Sequence, residues 1–334
     1  MSRPPVLVTG GTGFLGAHLL PRLVTAGHAV HVLARESSSR AHLDGLPLTW
    51  HTGDVCDAAS VDESVAAVGA GAWVVHAAAL ISYRAKDADR SNEVNVAGTR
   101  RVLEACRTHG IGRMCFVSSV VAVGQAPDAS SVVDEEHAFD GARLGCVYVT
   151  SKRAAEETVL SGAAELDVVV VNPGAIFGPA PRPSNTTRFL KSVVESVLSV
   201  PAPPGSLSVV GVGDVADGVL LALERGRRGR RYLLCESNWT HAELFAYVRE
   251  ACGRRPRRQR LPTWLWRAVV GVATVVDRVR PFEVAAPQAL RLLGEHYRFD
   301  SARARAELGW NPRPFAEVLA DTIAWMRAEG LLAP

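Results

Sequence analysis

The sequence predicts an α/β protein: a doubly wound parallel β-sheet followed by a smaller, interleaved and mainly helical C-terminal lobe. Three observations carry that expectation. Short apolar runs alternate with longer amphipathic stretches through the first two thirds of the chain, the rhythm of β-α-β units. The run Val168-Val-Val-Val-Asn172 is apolar on both faces, as a strand covered by helices on each side requires. Beyond Gly174 the rhythm breaks into Pro-rich loops and then helical periodicity.

Taken in order, strands are expected near residues 5–9, 29–34, 48–52, 72–76, 113–118 and 168–172, each apolar run ending at turn-forming residues. Helices near 14–26, 60–68, 89–108 and 149–164 fill the gaps. After a Pro-rich loop from Gly178 to Pro183 come a helix near 186–199, a second Pro/Gly stretch from Pro201 to Gly205, and a short strand-helix-strand to about 235. The expected division is a sheet domain over 1–174, with sheet contributions from about 206–236, and a substrate lobe over 175–334. The segment Leu261 to Phe282, with Trp264, Trp266, Arg267, Asp277, Arg278 and Arg280, reads as a helix that either covers the C-terminal lobe or lies on a membrane surface. Its charges sit at its ends, which favours the cover.

The chain has 334 residues, 48% hydrophobic and 21% charged, so it can bury a sizeable core and is neither disordered nor fibrous. The net charge of +3 is carried almost wholly by arginine; the lysines are Lys86, Lys152 and Lys191. Basic clusters at 225–231 and 254–260 have no interleaved aromatic residues to stack bases, so no nucleic-acid partner is expected. Six cysteines lack C-x-x-C spacing and nearby His pairs, which argues against a metal site or a disulfide framework. The N-terminus runs straight into an apolar strand, and the longest clean apolar run, Ala268 to Val276, is far too short to span a bilayer. A cytoplasmic protein without stable membrane insertion is the expectation.

The first strand runs into Gly10-Gly-Thr12-Gly13-Phe14-Leu15-Gly16 and then a helix. Gly10 permits the tight turn, Gly13 lets backbone amides approach a pyrophosphate, and Gly16 lets the helix pack on the sheet, a Rossmann-type dinucleotide turn. At the end of the second strand, where an acidic residue would hold a ribose 2′-hydroxyl, stands Arg35, followed by three serines and Arg40. A guanidinium there suits a 2′-phosphate, so NADP(H) is expected over NAD(H), with Glu36 keeping NAD(H) open. Asp54, beside Val55 after the third strand, is placed to accept from an adenine amine.

Tyr148 and Lys152 are four residues apart on one helix face, so phenol and ammonium can act as a unit. A cation beside a phenol favours phenolate, so Lys152 together with the positive nicotinamide of an oxidised cofactor is expected to bring Tyr148 toward neutral pH, where it can give or take a carbonyl proton. Ser118 and Ser119 end a strand 29 residues before the tyrosine.

These motifs, with Gly53-Asp-Val55, His76-Ala-Ala-Ala79, Asn95-Val-Ala-Gly-Thr99, Asn172-Pro-Gly174, Gly213-Asp-Val-Ala-Asp-Gly218 and Leu308-Gly-Trp310, resemble the extended short-chain dehydrogenase/reductases over essentially the whole chain. The chain looks most like the dihydroflavonol-reductase, 3β-hydroxysteroid-dehydrogenase and cinnamoyl-CoA-reductase side. The resemblance implies Ser119 as the catalytic hydroxyl, with Ser118 as the backup and beside the cofactor, Tyr148 as the general acid/base at the cofactor, Lys152 as the residue that lowers its pKa and binds the nicotinamide ribose, and Asn95 as a structural or proton-relay residue. It implies Ala77, Ala78 and Ala79 under the cofactor riboses, Pro173, Gly174 and Ile176 near the nicotinamide, and a homodimer through the helices near 89–108 and 149–164. His76 is expected to be structural. By position, Ser82, Tyr83, Gln125, Phe177 and Asn185 are candidate substrate contacts.

The expected function is NADP(H)-dependent interconversion of a ketone or aldehyde and an alcohol on a moderately apolar small molecule. A nucleotide-sugar epimerase or dehydratase with tightly bound cofactor is the alternative. A non-catalytic dinucleotide sensor is a third, disfavoured because it has no use for three proton-transfer groups.

Overall fold

The computed structural model describes residues 3–195, 201–256, 258–279 and 286–332. In chain order the first half is β1 (Val6–Thr9), α1 (Gly16–Thr25), β2 (Val30–Ala34), β3 (Leu48–Thr52), α2 (Ala58–Val68), β4 (Trp73–His76), α3 (Ala88–Asn92), α4 (Gly98–Thr108), β5 (Arg113–Val117), α5 (Val147–Ser161) and β6 (Val168–Pro173). The second half adds β7 (Ala175–Phe177), α6 (Asn185–Glu195), β8 (Ser206–Gly211), α7 (Val212–Arg225), β9 (Arg231–Leu234), β10 (Ser237–Thr240), α8 (His241–Ala251), α9 (Thr263–Val279), α10 (Pro287–Leu293) and α11 (Phe315–Ala328).

The main sheet has seven strands in the order β3-β2-β1-β4-β5-β6-β9, all parallel. All six expected strands are present, and every residue of β1 and β6 is buried, because both faces are covered. On one face Leu19, Leu20 and Leu23 of α1 meet Val215, Val219 and Leu223 of α7. On the other, Val61 and Val65 of α2, Val102 and Leu103 of α4 and Val159 of α5 form the second layer. The strand order reverses at β1, which has β2 on one side and β4 on the other, and this opens a crevice at the carboxyl ends of these parallel strands.

Two details differ from the sequence expectation. Of the strands expected from 206–236, only β9 returns to the main sheet; β8 pairs with β7 in parallel and β10 antiparallel, making a separate three-stranded sheet. The helix expected over 89–108 is interrupted by a wider π-helical turn at Glu93–Ala97, which carries Asn95 inward. Of the helix expected near 186–199, the described part is Asn185–Glu195; positions 196–199 lie outside the described residues, as do Arg280 and Phe282.

Candidate active site

A cavity of about 1120 Å³ opens along the carboxyl ends of β1, β2, β4 and β5 and continues toward β8 and α10. Its floor at the β1 end is the glycine turn. Gly10 has φ +73°, and a Cβ there would stand 2.6 Å from the Ala78 backbone nitrogen; a Cβ on Gly16 would stand 2.1 Å from the Gly11 carbonyl. The turn therefore keeps its backbone close to the 77–79 loop and lets α1 begin directly beneath it. Gly10, Thr12, Gly13, Phe14 and Leu15 line the cavity, as do Arg35, Asp54, Val55 and Ala77 to Ala79. Gly16 does not: its job is packing.

His76 ends β4 fully buried, Nδ1 2.6 Å from Thr9 Oγ1 and Nε2 3.0 Å from Thr99 Oγ1. Burial takes its imidazole down to about 3, so it is neutral and structural, as the sequence reading expected.

Ser119, Tyr148 and Lys152 come together on the same cavity, with Ser118 beside them. Tyr148 and Lys152 lie one turn apart on α5, and Ser119 follows the end of β5. Burial pushes the Tyr148 phenol up to about 12, against a smaller pull toward phenolate from the nearby Ser119 side chain. The sequence expectation, that Lys152 together with the positive nicotinamide of the oxidised cofactor brings it down, concerns the cofactor-bound protein. Lys152 Nζ donates to the Val117 carbonyl at 2.8 Å and lies 4.6 Å from the Phe116 ring centroid. Burial lowers this ammonium to about 8, with Glu156 pulling it back up.

A buried polar chain stands behind these groups. Asn172 Nδ2 donates to the Ser119 carbonyl at 3.0 Å and to Glu156 Oε2 at 2.6 Å, while Glu156 Oε1 lies 3.1 Å from Arg231 Nη1. Asn95 Oδ1 accepts from Leu80 N at 2.7 Å, and its Nδ2 donates to Leu80 O and Ser151 Oγ. Asn95 does not line the cavity; with its amide engaged it ties the loop after β4 to α5.

Pro173, Gly174, Ile176, Tyr83 and Asn185 line the cavity. Ser82, Gln125 and Phe177 do not. Ser82 Oγ is taken by Asp87, Gln125 Oε1 by Arg143, and Phe177 is packed edge-on against Phe315. The sequence reading missed Ser206, Ser208, His241, Leu292, Leu293 and Tyr297, which line the far end. Ser206 and Ser208 carry a readable signal, polar residues two apart in a strand, one face of β8. His241 and Tyr297 carry none, because the small sheet and the turn after α10 bring them in from afar.

The glycine cradle, and the buried Ser118 hydroxyl that has no protein partner, fit a dinucleotide along this crevice. No group of three or more His, Cys, Asp or Glu side chains suited to a metal ion occurs among the described residues.

Residues 6–235 match the NAD dependent epimerase/dehydratase family. The chain belongs to that family. Nicotinamide-dinucleotide binding and oxidoreductase chemistry come with this membership, on the extended short-chain dehydrogenase/reductase fold. Among its relatives, sterol demethylase protein B of Methylococcus capsulatus is 33% identical over 332 residues, covering 98% of this chain and 99% of that one. A 4-hydroxy-2-methyl-3-oxo-4-farnesyl-3,4-dihydroquinoline-1-oxide ketoreductase of Stigmatella aurantiaca is 30% identical, covering 92% and 91%. The crystal structure of a nucleoside-diphosphate-sugar epimerase from Pseudomonas aeruginosa superposes with TM-score 0.79 at 25% identity, covering 99% and 100%.

Proposed function

We propose that this family member is an NADP(H)-dependent reductase or dehydrogenase that interconverts a ketone or aldehyde and an alcohol on a moderately apolar small molecule. The observation that carries the reading is the meeting of Ser119, Tyr148 and Lys152 on one wall of a cavity whose other end holds Arg35. Bound dinucleotide supplies the hydride exchange with the carbonyl carbon. Ser119 and Tyr148 hold the carbonyl oxygen, and the Tyr148 hydroxyl gives it the proton that completes the alcohol. The direction of burial suits this: a phenol held protonated at neutral pH is ready to act as an acid. Lys152, fixed by the Val117 carbonyl, supplies positive charge beside the phenolate left behind.

Near the nicotinamide end expected from Pro173 and Gly174, the lining includes Ile176, Val121, Leu292 and Leu293, an apolar wall suited to a hydrocarbon-rich substrate. Resemblance to a protein named for sterol demethylation and to a ketoreductase of a farnesyl-bearing quinoline supports that class. The domain division follows the same logic: 1–174 carries the cofactor turn, and 175–334 brings most of the apolar wall, with Val121 the contribution of the first part.

The test is NADPH consumption by the purified protein with steroidal, prenylated, aryl and sugar-nucleotide carbonyls. Tyr148→Phe should lower kcat by about 10²–10⁴ while leaving NADPH binding intact; near-normal turnover by that variant would remove Tyr148 from the proton step. The structural likeness to a sugar-nucleotide epimerase gives the second reading, which predicts cofactor retained through purification and no net NADPH consumption.

A further inference from the structure

Helix α9 has two faces of opposite character. Its inner face, with Trp266, Val270, Thr274 and Asp277, covers α10; Trp266 is buried and its Nε1 donates to the Leu290 carbonyl at 3.1 Å. The sequence expectation of a covering helix accounts for that side only. At 100° per residue, the outer side is an apolar sector of about 140° holding Trp264, Ala268, Val269, Val272, Val275 and Val276. Trp264 is 71% exposed, Val272 65% and Val275 62%. A Cβ on Gly271, on the same side, would meet nothing within 4 Å.

The charge around this sector has one sign. Arg267 and Arg278 fall along one border of it on the helical wheel, both exposed, where their stems can lie along apolar surface and their guanidinium groups reach outward. The segment that leads into α9 exposes Arg254, Arg255, Arg258 and Arg260. From Gly253 to Arg278 the sole acidic residue is Asp277, on the inner face. An apolar sector bordered by arginines and capped near its start by a tryptophan has the composition of a helix lying in a membrane interface. A two-fold contact between copies through this sector would set these arginines against their own equivalents.

We propose that α9 lies in the plane of an anionic bilayer surface and docks the protein there peripherally, with Trp264, Val272 and Val275 at the acyl boundary and the arginines among acidic headgroups. No helix among the described residues is long and apolar enough to cross a membrane, so the attachment is interfacial. Because α9 packs on α10, and Leu292 and Leu293 line the cavity, docking would hold the far end of the cavity close to the bilayer.

The experiment is co-sedimentation of the full chain with phosphatidylcholine vesicles, alone or with about one third phosphatidylglycerol, at an ionic strength of about 0.1 M. Binding should be about tenfold or more stronger with phosphatidylglycerol and should weaken as salt is raised. Val272→Glu/Val275→Glu should reduce binding about tenfold or more without lowering the thermal midpoint, since both side chains are exposed. Arg254→Gln/Arg255→Gln/Arg258→Gln should remove most of the preference for phosphatidylglycerol. Absence of sedimentation with either vesicle, or undiminished binding of the valine variant, would overturn the proposal. So would a dimer in solution that the valine variant converts to monomer. Sedimentation reads no turnover, so its outcome is separate from that of the reductase reading.

Discussion

The side-chain oxygen of Gln288 accepts a hydrogen bond from the backbone N–H of Val147 at 3.0 Å, so α10 caps the helix on which Tyr148 and Lys152 stand. Cys146, at the N-cap position, gives no side-chain cap of its own. A residue 141 positions away has taken over the duty normally met by a local Ser, Thr or Asp.

Gln288→Leu leaves that N–H without its acceptor in a largely buried setting. The expected cost is about 1 kcal/mol of stability, read from the urea midpoint. A several-fold fall in kcat should accompany it, because Tyr148 is the next residue. Gln288→Glu keeps the acceptor and places a negative charge at the helix N-terminus, so it should recover the stability.

Lys152 links burial to pH. Its ammonium titrates at about 8 in the folded protein, against 10.5 for an ordinary lysine, because burial disfavours the charge. Between these values the unfolded chain holds a proton that the folded protein has shed, so this residue's contribution to stability rises with pH across about 8 to 10.5. Lys152→Met should abolish that component. The difference in unfolding free energy, wild type minus variant, should therefore increase from pH 8 to pH 10; a flat or falling difference would show that the ammonium is not desolvated as the structure has it.

The parts of the site carried by local spacing were legible in the sequence. Gly10 to Leu15 form one turn, and Tyr148 and Lys152 are one helical turn apart, so their meeting needs only local geometry. The apolar run that Ser118 and Ser119 terminate likewise placed them at the end of β5. What failed was position without partner: Gln125 and Ser82 stand in loops near the cavity, yet Arg143 and Asp87 claim their polar atoms, and no spacing in the sequence announces those pairings. The β8 strand was foreseen but its sheet was not, because apolar alternation fixes a strand's faces and says nothing of its neighbours.

Arg35 follows the end of β2 and lines the cavity together with Ser38, on the side opposite Lys152 in the strand order. A guanidinium recognising a 2′-phosphate contributes through charge-assisted hydrogen bonds of about 1.5–3 kcal/mol. Arg35→Ala should thus raise KM for NADPH by about tenfold or more and leave KM for NADH nearly unchanged. Equal effects on both cofactors would mean that Arg35 does not read the phosphate, and Glu36 would then be the residue to test for NADH preference.

Glu156 is fully buried on α5 and is shared by Arg231 on β9 and Asn172 on β6, so it joins three elements behind the site. Arg231 is itself only 15% exposed in its side chain. Removing the carboxylate charge leaves that guanidinium buried without its counter-ion, which typically costs about 3–5 kcal/mol. Glu156→Gln should lower stability by that order while still offering Asn172 an acceptor, so the Ser119 carbonyl stays held. Lys152, which Glu156 supports electrostatically, should become easier to deprotonate. The pH-rate profile is the decisive readout: its alkaline limb should move to lower pH in Glu156→Gln. A loss of stability with an unmoved limb would confine Glu156 to the scaffold.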